Sequence, residues 1–514
     1  MLIRTAAPPF NQPSADLILR TVDLVDFYVN SPMLVHASPF FAAMLALPQP
    51  AATQPPSADH HDTALNKTPT IPVPEDSTTL DLLLRLVYPI SKSRVQMEDP
   101  RGMEPVLQAA IKYEMELPVE ILTRRLCEIM PQNPLQVWAT ACRTGLEDVA
   151  RRAAIDLRVS WTRAEGEEAL SLLNGLGDMS GISAGDYLRL KQFLKADQCV
   201  IDEGHLTLLT PPLELALPPT PTLPPFSTGL ESTDVLCRPS SGRDSEVSYP
   251  AHRVILSMHS PVLKARLAAQ EVPSNDSHRD DSPLSPSILD FDEDREVLSS
   301  LLKACYDGEE GMPTDLASIA ELLDASDKYQ MARIGRWARA AWDRVAVDHP
   351  LEAYCVAVNH GLNECADAAA RNILAGPIAD AYTSIMDVTP ALAYHRLLKY
   401  YDTCRQVVRE RLGEVSDRVP AYIYIYRPGF GNGEAATTDV KDALNEFATN
   451  PDSVLAAGST QNALLHKTLT RTMSGPDLLG QTPLRDFVHV LMECVTSVPQ
   501  AINSAIDAVR IERA

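Results

Sequence analysis

The stretch AHRVILSMHSPVLKARL (251–267) contains a small residue and a histidine, then an apolar run, then a Ser-Pro step. The apolar run predicts a helix that ends near Ser-Pro, because proline disfavours helical backbone before it and suits the first turn of the next helix. Two short strands are expected upstream, around residues 234–238 and 246–250. The pattern therefore predicts a small unit in which two strands lead into two consecutive helices.

The same pattern occurs earlier in the chain, at residues 25–39, which align without a gap to residues 247–261. Further matches follow in the same order, with offsets that drift only from 222 to 207. A single match would be weak, but several matches in one order indicate an internal duplication. The matches comprise Leu34/Leu256, Ser38/Ser260, Pro39/Pro261 and Tyr187/Tyr394, together with the stretches 16–20/234–238, 80–88/298–306, 110–115/326–331 and 134–154/350–370.

Each copy is predicted to be an α+β unit dominated by helices. Polar, proline-rich insertions at 48–70 and 272–287 interrupt the two copies at matching places, and their composition predicts disorder. A short strand (TIPVP or SILDF) follows each insertion. It precedes a helix with apolar residues at i, i+3, i+4 and i+7, the pattern of one buried helix face. The fold class expected for the chain is therefore α+β, mostly helical, with two tandem domains.

The chain has 514 residues, enough for about three domains of ordinary size. Composition shifts and proline-rich stretches set the expected boundaries. In chain order we expect a disordered N-terminus (1–15), a first α+β domain (16–130), a first helical extension (131–200), a proline-rich linker (201–232), a second α+β domain (233–348), a second helical extension (349–412) and an undefined, largely helical C-terminal region (413–514).

Charge and cysteine usage exclude several function classes. The formal net charge of −23 argues against binding to nucleic acid and against docking on an anionic membrane. No apolar run approaches the roughly 18–20 residues that span a bilayer, and no secretion signal begins the sequence. Nine scattered cysteines without a C-x-x-C pair indicate reduced thiols. These features predict an intracellular protein of the cytoplasm or nucleus.

An Asp-initiated strand, a strand ending in a small-His step and the order V-I-L-S-x-x-S-P-x-L resemble the BTB/POZ domain. The stretches that match are DVLCRP (234–239) and AHRVILSMHSPVLKARL (251–267). Residues 16–47 also resemble a BTB domain. They depart from it at Asn30-Ser31-Pro32, where the family usually has a His-Lys/Arg-x step.

The helical stretches 134–195 and 350–412 resemble the BACK-like helices that follow BTB domains in fungal members of the family. The resemblance implies tandem BTB domains that bind proteins, with no catalysis and no cofactor. BTB domains usually dimerise through the faces of the first strand and first helix. The pairing-surface residues implied here are Leu17, Leu19, Met33, Leu34, Val235, Leu236, Ile255 and Leu256, and the motif residues are Asp16, Asp234, His252 and Ser260.

Two pairing arrangements and two functions stay open at this point. The BTB copies either pair with each other within one chain or form a homodimer. The chain is either a scaffold for other protein partners or a substrate adaptor of a cullin-type ubiquitin ligase. The lack of a separate substrate-binding repeat, such as a propeller, disfavours the adaptor. The departure at Asn30-Ser31-Pro32 makes the first copy the better candidate for a purely structural role.

The stretch GISAG (181–185) fits the G-x-S-x-G pattern of a hydrolase nucleophile elbow, with Ser183 as the nucleophile. An elbow needs a buried strand directly before the serine, and LNGLGDMS (173–180) is not strand-like. Ser183 followed by Asp186 instead predicts a helix N-cap with a capping box. The second copy keeps a helix start at Thr389-Pro390 without the serine, so we do not expect a serine hydrolase.

Two other patterns partly match a dinucleotide-binding fingerprint and a metal site, but each lacks a required element. The stretch AYIYIYRPGFGNGEA (421–435) predicts a strand that runs into a glycine turn or loop. Glu434 stands where a dinucleotide fingerprint needs its last glycine. His60-His61 lie in the polar insertion with no second ligand pair at structural-zinc spacing. We therefore expect neither a cofactor nor a metal.

Overall fold

The computed structural model divides the chain into two compact units. The first comprises Met1–Ile182 with Asp186–Pro211, and the second comprises Ser183–Gly185 with Pro212–Ala514. The residues that the structure describes are 3–47, 68–90, 99–161, 175–195, 208–209, 233–239, 248–270, 286–374, 376, 378, 381–418, 422–427, 431–436, 438–455 and 500–511.

A four-stranded sheet opens the first unit. Its strand β2 (Leu17–Arg20) runs antiparallel to β3 (Val25–Val29) and parallel to β4 (Thr70–Pro72). The two-residue strand β1 (Arg4–Thr5) joins the outer edge of β3 in parallel, so the strand order is β1-β3-β2-β4. The run of apolar residues in β2 is buried, as expected for an inner strand.

Helices make up the rest of the first unit. The first two, α1 (Ser31–Ala37) and α2 (Pro39–Ala46), are separated only by Ser38, whose side chain accepts the N–H of Phe41 and caps α2. The later helices of this unit are α3 (Ser77–Val87), α4 (Pro100–Lys112), α5 (Glu116–Ile129), α6 (Pro134–Thr144), α7 (Glu147–Trp161) and α8 (Ala184–Lys195).

A three-stranded sheet in the second unit repeats the inner part of this arrangement. Strand β5 (Val235–Pro239) lies between antiparallel β6 (Tyr249–Ala251) and parallel β7 (Ser287–Phe291). The order β6-β5-β7 corresponds to β3-β2-β4 of the first sheet. Within the described residues, no strand takes the position of β1 beside β6.

The helices of the second unit follow the same order. Helices α9 (Arg253–His259) and α10 (Pro261–Ala269) again meet at a serine, Ser260, which caps α10. The later helices are α11 (Arg295–Asp307), α12 (Leu316–Lys328), α13 (Ala332–Ala346), α14 (Pro350–Asn359), α15 (Asn363–Ile373) and α16 (Ala391–Arg418), with 3-10 turns at Gly308–Gly311 and Ser384–Asp387.

A Gly-Leu pair within each of the aligned stretches 134–154 and 350–370 ends helices α6 and α14 in the same way. Gly145 and Gly361 adopt left-handed backbone, with φ of 70° and 68°. The N–H of the following leucine bonds to the carbonyl five residues back, which is the Schellman motif. The paired glycines therefore have a conformational role, because a side chain is disfavoured at positive φ.

The N-terminal residues differ from the expectation of disorder over 1–15. Arg4–Thr5 forms β1, and the Phe10 side chain is 1% exposed. The Phe10 ring lies 6.0 Å from the ring of Phe27 and 5.3 Å from that of Tyr88. The sequence gives no sign of this order because the buried residues are widely spaced among prolines, so no periodic pattern appears. The order comes from tertiary pairing with β3.

The C-terminal region contains a hairpin where the sequence predicts a strand and a glycine loop. Strand β8 (Tyr422–Arg427) pairs antiparallel with β9 (Gly431–Ala436), so Gly431 and Gly433 belong to a strand. Glycine contributes no side chain to the alternating pattern, and for that reason β9 was missed. Helices α17 (Thr438–Thr449) and α18 (Asp452–Leu455) follow, and residues 500–508 are helical.

The polar insertions and the linker fall mostly outside the described residues. Thr70 and Ser287, at the ends of the two insertions, already belong to strands β4 and β7. Within the linker expected at 201–232, Leu208 and Leu209 are described, and both are buried.

Candidate interaction surface

The aspartate that begins each central strand positions the first helix behind it. Asp234 Oδ1 accepts the Arg253 N–H at the start of α9, at 2.8 Å. Asp16 accepts both the hydroxyl and the N–H of Ser31 at the start of α1, at 2.6 and 2.7 Å. The bonds from Ser31 favour the charged carboxylate and lower the pKa of Asp16. Asp16 and Asp234 therefore stabilise helix starts.

His252 connects the end of β6 to helix α11. Its backbone N–H donates to Tyr306 Oη at 2.9 Å, and its Nδ1 lies 2.8 Å from the same oxygen. In the first unit the N–H of Asn30 donates to Tyr88 Oη at 2.9 Å. With Asn30 in place of the family's histidine, the first unit keeps the backbone hydrogen bond to the tyrosine hydroxyl but has no imidazole to contact it.

Ser260 is fully buried and joins three helices of the second unit. Its hydroxyl donates to the Tyr329 carbonyl at 2.6 Å and accepts the Leu263 N–H at 3.0 Å. Ser38 makes the corresponding bonds in the first unit, to the Tyr113 carbonyl at 2.5 Å and from a backbone N–H of α2 at 3.0 Å. The Ser-Pro step thus links the helix pair to the later Lys-Tyr stretch.

The Lys-Tyr stretch supplies a further buried contact in each unit. The Tyr329 hydroxyl donates to Glu293, and Lys328 Nζ donates to the same carboxylate at 2.7 Å. Burial, followed by the bond to Glu293, raises the pKa of Tyr329 to about 12. In the first unit Tyr113 and Lys112 donate to Glu75 in the same manner. These motif residues therefore bond to one another inside each unit and hold the fold together.

Most of the predicted pairing-surface residues lie in the core, and their role in pairing stays a prediction. Their side chains are at most 1% exposed in this chain. Three others are half-buried. The buried residues are Leu17, Leu19, Leu34, Val235 and Leu256, and the half-buried ones are Met33, Leu236 and Ile255.

The exposed apolar face of α9 consists instead of Val254 and Met258, which are 69% and 72% exposed. Both lie across the helix from buried Leu256, because residues two apart point about 200° apart around a helix. The pattern could have been found in the sequence, since Val254 and Met258 are one turn apart. The aligned residues in α1 are Pro32 and His36, so the two units differ here.

The outer side of the second sheet is also apolar. Leu236 on β5 pairs with Pro250 on β6 and with Ile288 on β7, and the Ile288 side chain is 41% exposed. Pro250 has no N–H to donate from the edge strand β6. The aligned residue in the first unit, Tyr28, donates its N–H to the Phe10 carbonyl at 2.9 Å. Because Pro250 lacks an N–H, β6 cannot make the hydrogen bond by which Tyr28 holds the N-terminal segment in the first unit.

Groups that would support chemistry are not brought together in the described part of the chain. No group of three His, Cys, Asp or Glu side chains there could hold a metal ion, and His60 and His61 lie outside it. Burial raises the pKa of the Cys237 thiol to about 12, which makes it a poor nucleophile. Ser183 directly precedes α8, and its capping role stays a prediction.

Among the described residues, no helix combines the length and the apolar character needed to cross a bilayer.

Comparison with known protein families matches residues 228–339 to the BTB/POZ domain. BTB/POZ domains are protein–protein interaction modules, and the matched residues of the second unit are similar to such a module. The match confirms the resemblance for this part of the chain. The resemblance of residues 16–130 to a BTB domain, and of the later helices to BACK-like helices, stays a prediction. No curated protein and no solved structure matches the chain.

Proposed function

We propose that the chain is a non-enzymatic scaffold that binds proteins through its BTB region, and that α9 pairs with α9 of a second copy. The observation that supports this is the exposure of Val254 and Met258 on one face of α9. Exposed apolar side chains grouped on a domain of an interaction family are candidates for the buried centre of an interface.

The charge distribution favours this helix as the contact between copies. A chain of net charge −23 repels a second copy of itself, so association needs a surface without acidic groups. Helix α9 has no acidic residue, and Arg253 and His259 stand at its ends. A two-fold interface would bring α9 of one copy onto α9 of the other and bury the same residues from both.

Co-precipitation of two differently tagged full-length copies tests the proposal. Wild-type copies should precipitate each other, and the double variant Val254→Asp/Met258→Asp should not, because pairing would bury four carboxylates. Val347→Asp is the matched control, since Val347 is 63% exposed elsewhere in the same unit. Equal recovery with the double variant would show that α9 is not the interface.

We also propose that residues 16–130 are a diverged second BTB copy. Support comes from the matching strand order and from the repeated bonds of Ser38 and Ser260. If the two BTB regions pair within one chain, as the sequence also allows, the co-precipitation would fail for the wild type. That result would replace the homodimer with an intrachain pair.

A cullin-type ubiquitin ligase is the second candidate partner. The supporting observation is that helices α14 and α15 follow the matched region, which ends within α13, and this layout of a BTB region with later helices allows an adaptor. A tagged pull-down from the native host, with and without residues 233–348, tests this. Recovery of a cullin that depends on those residues would establish the adaptor function. Recovery of other proteins without any cullin would instead support the scaffold function.

A further inference from the structure

Two consecutive linker residues are bound to the first helical extension. The side chains of Leu208 and Leu209 are 0% and 7% exposed. Their backbone N–H groups donate to the two carboxylate oxygens of Glu147, each at 2.9 Å. The carbonyl of Leu208 accepts a bond from Arg189 Nε at 3.1 Å. The site thus binds the main chain of a Leu-Leu pair from both sides.

The two charged residues that bind this main chain are themselves held in place. Glu147, in the first turn of α7, lies 3.4 Å from Arg151. Arg189, in α8, lies 2.7 Å from Asp186. Charge-assisted hydrogen bonds are stronger than neutral ones, and each of these partners fixes a side chain in a binding orientation. Each of the two side chains that bind the main chain is thus paired with an opposite charge, which suits an uncharged peptide.

The site is particular to the first extension. At the position aligned with Glu147, the second extension has Asn363, which has no carboxylate to accept two N–H groups. A later chain segment nevertheless lies against the second extension as well. Residues 509–511 line a cavity of about 460 Å³ together with Asp367, Arg371 and Tyr400.

We propose that the cleft between α7 and α8 is a peptide-recognition site for a Leu-Leu segment, occupied by Leu208–Leu209 of the same chain. A partner protein that presents a Leu-Leu pair in an uncharged segment competes for this cleft when the linker leaves it. The inference is independent of the proposed pairing through α9, because it rests on the first unit alone.

Hydrogen exchange of the full-length chain tests the bound state of the linker. The amides of Leu208 and Leu209 should exchange at least about tenfold faster in Glu147→Gln than in wild type, because one charged acceptor for two N–H groups is lost. Asp148→Asn is the matched control, since Asp148 also lies beside Arg151, at 3.8 Å, but its side chain is 87% exposed and bonds to neither leucine N–H. Equal exchange in all three proteins would overturn the proposal.

Binding of a labelled peptide tests recognition by a separate molecule. The probe is HLTLLTPP, the sequence of residues 205–212, and HLTSSTPP is its control. The full-length variant Leu208→Ser/Leu209→Ser loses the two buried side chains, so its own linker should be held less tightly and the variant should bind the probe. Wild type should bind it at least tenfold more weakly, because its own linker competes. Adding Glu147→Gln to the double variant should abolish binding.

A thermal melt of the double variant that matches wild type establishes that it is folded. Failure of this folded variant to bind the probe would overturn the proposal. Equal binding of the probe and HLTSSTPP would overturn it as well. If the double variant does not fold, the hydrogen-exchange comparison with Glu147→Gln decides the question alone.

Discussion

Individual buried polar residues fix the helices of both units. Ser260 satisfies one buried carbonyl and one buried N–H, and its own hydroxyl has no access to water. The sequence comparison found this serine from its match with Ser38, but could not show its role. A Ser-Pro step predicts the helix start that Ser260 caps. Its bond to the Tyr329 carbonyl joins residues far apart in the chain, so local sequence does not predict it.

Replacing Ser260 by alanine should lower the free energy of unfolding by about 1–3 kcal/mol, because the Tyr329 carbonyl is left buried without that donor. Urea denaturation measures this loss. Ser257→Ala, in the preceding helix α9, is the control for removing a helical hydroxyl. An unchanged midpoint for Ser260→Ala would contradict the assigned bonds.

Asp16 provides a prediction of pH dependence. Its pKa in the folded protein lies below the ordinary value of 3.8, so the charged form stabilises the fold above that pH. The contribution is lost as the pH falls through the lowered pKa. Asp16→Asn should therefore be less stable than wild type at pH 7, with the difference shrinking below pH 3.8. A difference independent of pH would show that charge is not the cause.

The predicted pairing residues illustrate what the sequence does not reveal at the residue scale. They are the apolar positions of the first strand and helix, and the prediction does not separate the two sides of the helix. The most apolar positions, such as Leu256, are buried in the core because the same period that exposes Val254 turns them inward. The helical spacing was available in the sequence, whereas the direction of the core was not.

At the level of elements, the Ser-Pro steps predicted where the first helix of each unit ends and the next begins. The Schellman ends at Gly145 and Gly361 were not predicted, although this conformation depends on local sequence. Strands β1 and β9 were missed because they depend on partners elsewhere. Their residues carry no alternating pattern, and glycine or proline occurs within or beside them.

Gly361→Ala should destabilise the protein by about 1–2 kcal/mol, because its left-handed backbone disfavours a side chain. Nothing lies within 4 Å of the added Cβ, so backbone strain is the sole cause. Gly413→Ala, inside helix α16 and equally unobstructed, should instead stabilise it by about 0.5–1 kcal/mol. Opposite shifts in thermal midpoint confirm this, and equal shifts contradict it.

The N-terminal segment provides an independent test at the same scale. Phe10→Ala should cost about 3–5 kcal/mol of stability, because the ring is 1% exposed between Phe27 and Tyr88. Ile3→Ala, at a position 52% exposed, should change stability little. Chemical denaturation distinguishes the two. A negligible effect of Phe10→Ala would favour the disorder that the sequence predicts.

At the scale of the whole molecule, the two units share strand order, helix caps and buried contacts but differ on their surfaces. The first has Pro32 and His36 where the second has Val254 and Met258, and an N-terminal strand covers the edge of β3. The sequence predicted the shared core because core spacing repeats. Because the exposed Val254 and Met258 occur on α9 and not at the aligned positions of α1, we assign binding to the second unit.

Light scattering of the full-length protein tests the central claim most directly. Pairing through α9 predicts about 113 kDa, twice the chain mass of 56.3 kDa, for wild type and for Val347→Asp. It predicts 56.3 kDa for Val254→Asp/Met258→Asp. A wild-type mass of 56.3 kDa, or a double variant that remains at about 113 kDa, would contradict it.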